Sequence, residues 1–207
     1  MLWIITGIIT SYILGSIPTA YIFGRLLKGI DIRKAGSGNV GATNAMRVLG
    51  KGPGITVLLL DIFKGIVPVI FLGNFLLSKR IPISEETLRI ILGLACISGH
   101  NWTIFLQFKG GKGVATTLGV LIGLAFKING LNLVLGLVLV SWIVVFFVSR
   151  IVSIASCFSA LALPFLSIIF NLPKLLILTS VILSASVILR HKSNLKRFFQ
   201  GKEKRLF

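Results

Sequence analysis

The first 24 residues carry no charged side chain. That run is followed by six more apolar ones, and a chain so rich in hydrocarbon cannot coat itself in polar surface. The seven runs cover residues 2–27, 55–77, 87–106, 114–126, 131–148, 151–170 and 173–189. A bilayer core of ~30 Å needs about 20 apolar residues per helix. The pattern therefore predicts an all-α polytopic membrane protein with seven transmembrane helices, forming a single domain over residues 1–207. The fourth run is the short one. It spans only if residues 110–113 dip toward the membrane or the bilayer thins locally. No basic segment precedes the first run, which argues against a cleaved signal peptide. With 55% apolar and only 13% charged residues, a soluble globular enzyme, a disordered tail and a disulfide-stapled secreted module are excluded.

Charge is lopsided as well as scarce. Lys and Arg number 22 against five acids, for a formal net charge of +17. The acids are Asp31, Asp61, Glu85, Glu86 and Glu203. They do not cluster as an oxygen-ligated Mg²⁺ or Ca²⁺ site requires, so no metal is expected. Cys96 and Cys157 stand alone in apolar runs and read as small buried spacers, with neither zinc nor a disulfide implied. Counting loops alternately, sixteen basic side chains fall on one face and five on the other, with Lys64 inside the second helix. The positive-inside rule then places the N-terminus outside and the C-terminus in the cytoplasm. The polar, glycine-rich segments all fall on the cytoplasmic face, although their motif character played no part in the count.

The most informative of these segments is Gly36-Ser37-Gly38-Asn39-Val40-Gly41-Ala42-Thr43-Asn44. Successive main-chain N–H groups in such a turn can converge on an anion. A helix starting near Thr43 would add its N-terminal donors and would place Asn44 and Arg47 on one face. Ser37, Thr43 and Arg47 offer side-chain donors. A flexible cytoplasmic turn is the plainer alternative. The G-x-G-x-x-G match through Gly36, Gly38 and Gly41 is not a dinucleotide site, because no βαβ unit surrounds it. A second such stretch is Lys109-Gly110-Gly111-Lys112-Gly113. Lys112 is followed by Gly rather than Ser or Thr, so nucleotide hydrolysis fails. A lysine aimed at a phosphate and a snorkelling helix-end lysine both remain open.

Other polar residues admit two readings each. His100, before Asn101-Trp102, is a base or a hydrogen-bonded structural histidine. Asp61 and Lys64, three apart in the second span, pair with each other or face the site. Ser149 and Arg150 end the fifth helix on the cytoplasmic side. In the tail, His191, Asn194 and Arg197 recur at intervals of three and share one helix face. The basic residues there read as an anchor to anionic membrane lipid, and no nucleic-acid partner is expected. That anchor explains the Lys and Arg but not His191 and Asn194.

Taken together, these motifs resemble the bacterial acyl-phosphate:glycerol-3-phosphate acyltransferases, the PlsY family. The resemblance is carried by Gly15-Ser16-Ile17-Pro18, by Asp31-Ile32-Arg33 with residues 36–47, and by Asp61-x-x-Lys64-Gly65. It continues through Gly99-His100-Asn101-Trp102, Phe108-Lys109-Gly110-Gly111-Lys112-Gly113-Val114-Ala115-Thr116 and His191-x-x-Asn194-x-x-Arg197. It implies transfer of a fatty acyl group from acyl phosphate to the sn-1 hydroxyl of glycerol 3-phosphate, giving lysophosphatidic acid and phosphate. This would be the first step of phospholipid synthesis, carried out without metal or cofactor at the cytoplasmic side of the bacterial inner membrane. The His-x4-Asp dyad of soluble-type glycerolipid acyltransferases is absent, since His100 leads to Phe105 and His191 to Lys196.

By the same resemblance, Ser37, Gly38, Asn39, Thr43 and Asn44 hold the acyl-phosphate head group. Arg47, Lys112, Ser149, His191 and Asn194 hold glycerol 3-phosphate. Ser37, Arg47, Lys112, His191 and Asn194 are the expected catalytic set. Gly36, Gly41, Gly110, Gly111, Gly113 and Arg197 complete the binding residues. With few carboxylates and two histidines, the chain is short of a general base, so the acyl phosphate's own phosphate would take the hydroxyl proton. A soluble acyl-phosphate-producing enzyme is a further expected partner. An anion transporter and a scaffold with a basic tail are the rivals from other classes. Transporter sites sit near the midplane, often between repeated halves, whereas here the polar groups share one face and no convincing repeat is found.

Overall fold

The computed structural model describes residues 1–206. Among them the chain is helical throughout and contains no strand. The α-helices are α1 (Leu2–Ser16), α2 (Thr19–Lys28), α3 (Ala42–Leu49), α4 (Lys51–Val67), α5 (Gly73–Leu77), α6 (Glu85–Asn101), α7 (Val114–Ala125), α8 (Leu131–Ser149), α9 (Val152–Ile169), α10 (Lys174–Arg190) and α11 (Lys192–Phe199). They form two compact units, one from Met1 to Leu124 and a second from Ala125 onward.

The first apolar run is not one straight helix. Pro18 has no N–H to donate and separates α1 from α2. Lys64 braces the break: its Nζ donates at 2.9 Å to the Ile17 carbonyl, which also accepts the Thr19 N–H at 3.1 Å. Asp61 accepts a hydrogen bond from Thr19, the first residue of α2, and pairs with Lys64 at 2.8 Å. These two charges sit inside an apolar helix because they staple a broken neighbour.

A second proline interrupts α4. Pro68 cannot donate to the Lys64 carbonyl four residues back, and the Cys96 thiol donates to that oxygen instead, at 3.2 Å. The turn from Pro68 to Leu72 is π-helical before α5 resumes. Arg89 on α6 answers it. Its guanidinium donates to the Val69 and Ile70 carbonyls, to Asn74 Oδ1 at 2.6 Å, and pairs with Glu85 at 2.7 Å. Arg89, counted above with the outer loop, is thus buried at 1% exposure.

Glycine permits α1 and α6 to touch backbone to backbone. A Cβ on Gly15 would lie 1.9 Å from the Cys96 carbonyl oxygen, and one on Gly99 would lie 2.1 Å from that of Tyr12. Such small-residue contacts pull helices together where lipid provides no hydrophobic drive. In the second unit α9 packs between α8 and α10. Its α8 face is serine-rich: Trp142 Nε1 donates to Ser156 and Ser141 Oγ to Ser159. Apolar side chains such as Ile5, Ile9, Ile13, Phe147 and Val148 point outward, as lipid-facing residues do.

Five helical stretches are long and apolar enough to cross a bilayer: Leu2–Lys28, Lys51–Leu77, Glu85–Leu106, Leu131–Ser149 and Val152–Ile169. The pair α10 and α11, bent by 57°, gives a sixth if taken as one span. The 12 residues of α7 extend about 18 Å, short of the ~30 Å hydrocarbon core. The expectation of seven spans thus becomes five or six by length, with α7 as the short seventh element.

Candidate active site

The first glycine-rich loop is built around one side chain. Asn44, in the first turn of α3, is fully buried. Its Oδ1 accepts the Ser37 N–H at 2.7 Å, and its Nδ2 donates to the carbonyls of Ile32, Ala35 and Asn39 at 3.2, 3.1 and 2.9 Å. Gly36 adopts φ +61°, and a Cβ there would lie 2.3 Å from Asn44 Oδ1, so only glycine fits. Asn44 therefore points into the loop rather than out to a ligand, while Arg47, three residues on, is exposed. Ser37 and Gly36 are exposed, and Gly38, Asn39, Gly41 and Thr43 are half-buried.

Gly41 caps α3. The N–H groups of Ala42 and Thr43 precede any intrahelical acceptor. Asp31 anchors the approach to the loop. The Arg33 guanidinium bonded to it at 2.7 Å, with Arg25 nearby, holds its carboxyl down to about 2. Beneath lies an apolar seat of Ala20, Ile32, Val40, Ala45, Leu49, Val57 and Leu106.

The second glycine loop is tied to the end of α6. The Gly110 N–H donates to the Asn101 carbonyl at 3.2 Å and the Gly111 N–H to the His100 carbonyl at 3.0 Å. Gly113, at φ +77°, hands the chain to α7. Half-buried Lys112 stands one residue before it. A cleft with about 170 Å³ of empty space, counting its open mouth, runs between the two loops. Its wall includes Ser16, Pro18, Val40, Lys64, His100 and Gly111. In the first unit this cleft thus brings Val40 of the first glycine loop, Gly111 of the second, Lys64 and His100 together.

The second unit gathers its residues on an acid. Glu203 Oε1 accepts from Ser153 Oγ at 2.9 Å and from Asn194 Nδ2, and Oε2 accepts from Arg197 Nε at 2.8 Å. Burial alone would raise the Glu203 carboxyl, but the bonds from Asn194, Arg197 and Ser153 outweigh it and hold it below its usual range. Glu203 was not foreseen as part of the site; its one signal was an acid standing in a basic tail. His191, 2% exposed, has Nδ1 2.8 Å from the Val187 carbonyl. A carbonyl only accepts, so Nδ1 carries a proton. Ser149 Oγ donates to Val145 and accepts the Ile151 N–H at 3.1 Å.

The depressed carboxyl makes a pH prediction. A lowered folded-state value stabilises the clasp above the ordinary Glu range, about 4.3, and that stabilisation is lost as pH falls through the lowered value. A spin label at Lys202→Cys is expected to gain mobility as pH is lowered through that range. In Glu203→Gln the label should be mobile already at neutral pH. A label equally immobile in both proteins at neutral pH would contradict the clasp.

Comparison with known proteins is unambiguous. The glycerol-3-phosphate acyltransferase family model matches residues 5–201. A glycerol-3-phosphate acyltransferase of Synechococcus sp. (strain CC9902) is 40% identical over 195 residues, covering 94% of this chain and 91% of the relative. Glycerol-3-phosphate acyltransferase 2 of Moorella thermoacetica is 42% identical over 205 residues, covering 99% and 98%. Among solved structures, the crystal structure of PlsY, an integral membrane glycerol 3-phosphate acyltransferase, in its glycerol 3-phosphate form superposes with a TM-score of 0.84. Identity there is 34%, and 98% of this chain and 94% of that one are covered. Its lysophosphatidic acid form superposes with a TM-score of 0.81. This multi-pass integral membrane protein therefore belongs to the glycerol-3-phosphate acyltransferase family, in its PlsY branch.

Proposed function

We propose that the chain acylates the sn-1 hydroxyl of glycerol 3-phosphate with a fatty acyl phosphate, releasing lysophosphatidic acid and inorganic phosphate. The observation that carries this reading is the pair of ligand forms of the PlsY structure it resembles. Glycerol 3-phosphate and lysophosphatidic acid differ by one acyl ester, which makes them acceptor and product of a single acyl transfer.

The chemistry follows from the residues. The acceptor hydroxyl oxygen attacks the acyl carbonyl, the carbon–oxygen bond to phosphate breaks, and the hydroxyl proton passes to a phosphate oxygen of the donor. The protein's task is to hold two anionic groups in line and to stabilise the developing charge. N–H groups at the start of α3, with Ser37 and Thr43, take the acyl-phosphate head group. Arg47, Lys112, Ser149, His191 and Asn194 take glycerol 3-phosphate. Asn44 acts one step removed, by holding the loop in shape. No metal or cofactor is needed.

We place seven membrane elements with the N-terminus outside and both glycine loops and the tail in the cytoplasm. The support is the sixteen-to-five division of basic residues. The acyl phosphate then arrives from the cytoplasm, where a soluble enzyme makes it. Purified protein in detergent, given acyl phosphate and glycerol 3-phosphate, is expected to release phosphate and lysophosphatidic acid in equal amounts. Flux of either anion into liposomes without turnover would support a transporter instead.

A further inference from the structure

We propose that His100 is a positioning residue for the second glycine loop, setting where Lys112 points, and is not the base of the reaction. This rests on the acyl transfer proposed above. His100 lies in the last turn of α6 and is 7% exposed. One edge of its ring faces the staple of the α1–α2 break: Nδ1 is 3.9 Å from Asp61 Oδ1. Asp61 is itself held by Thr19 and by Lys64. The opposite edge faces the loop. A Cβ built on Gly111 would lie 2.2 Å from His100 Nε2, 3.0 Å from Cε1 and 3.1 Å from Cδ2. The Gly111 α-carbon thus rests against the imidazole, while its N–H donates to the His100 carbonyl.

Two consequences follow. Both ring nitrogens abut protein, Nδ1 toward a carboxylate and Nε2 toward a glycine backbone, whereas a general base must reach the acceptor hydroxyl within about 2.6–3.2 Å. The volume of the ring also fixes the position of Gly111, and Lys112 is the next residue. A ring wedged between the Asp61 staple and Gly111 transmits the rigidity of the stapled α1–α2 break to a lysine that binds phosphate. It further explains why the loop has glycine at 111, where any Cβ would strike the imidazole.

Steady-state kinetics with glycerol 3-phosphate varied at saturating acyl phosphate, on protein purified in detergent, tests this. His100→Ala is expected to raise KM for glycerol 3-phosphate about tenfold with kcat little changed, as a displaced binding group would. His100→Gln, which refills the space by Gly111 but cannot accept a proton as imidazole does, should restore KM and keep kcat. Gly111→Ala alone should lose most activity and thermal stability. His100→Ala/Gly111→Ala should recover part of both, because removing the ring makes room for the methyl group.

A collapse of kcat in His100→Gln at unchanged KM would make His100 a base and overturn the proposal. A double variant no more stable than Gly111→Ala would overturn the wedge, and that readout needs no turnover. If wild-type protein does not turn over acyl phosphate, the failure lies with the proposed reaction, and the stability comparison still decides the contact.

Discussion

Replacing Asn44 by Asp is expected to lower kcat/KM by about 100-fold, the scale on which small misplacement of reacting groups costs rate. The substitution is isosteric, so the effect isolates hydrogen bonding. The carboxylate can still accept the Ser37 N–H. It cannot donate to the Ile32, Ala35 and Asn39 carbonyls, which lie 2.9–3.2 Å from Nδ2. Three oxygens would then face a negative charge in a site with no exposure to water, and a buried acceptor left without its donor is costly. The loop must open to relieve this, and Ser37 and the N–H groups at the start of α3 move with it. Far-ultraviolet circular dichroism should be unchanged, because Asn44 holds a loop and not a span. Near-normal activity in Asn44→Asp would show that the loop does not need this hub.

Replacing Asp61 by Ala is expected to destabilise the protein by about 3–5 kcal/mol, the usual cost of orphaning one member of a buried ion pair. Asp61 is 1% and Lys64 8% exposed. Without the carboxylate, Lys64 loses its counter-charge and keeps its bond to the Ile17 carbonyl, and Thr19 loses its acceptor. The double change Asp61→Leu/Lys64→Met should recover much of the loss, since hydrophobic replacement of a buried pair is often neutral or better. Thermal unfolding in detergent reads both. If Asp61→Ala unfolds at the wild-type temperature, the pair does not staple the α1–α2 break.

Much of this architecture was legible in the chain. Apolar runs announce the spans because hydrocarbon length is set by the bilayer, and observed boundaries fall within a few residues of them. Departures come from prolines and their distant partners. Pro18 divides the first run, and Pro68 inserts a π-helical turn in the second. Their repairs by Lys64, Cys96 and Arg89 link residues far apart in sequence, which no local pattern announces. The two glycine loops were recognisable because tight, glycine-dependent turns have a local composition. The inward turn of Asn44 was not, since spacing gives a helix face but not what packs there. Glu203 was missed for the same reason: its partner Ser153 is 50 residues away.

The proposed topology puts both glycine loops and the tail on the same side of the membrane. Spin labels at Lys34→Cys and Lys192→Cys, both exposed positions outside the proposed binding set, test it through their electron–electron distance in lipid nanodiscs. The account predicts a distribution centred well below the ~30 Å thickness of the hydrocarbon core. A distribution centred at about 40 Å or more, the separation of opposite membrane faces, would contradict it.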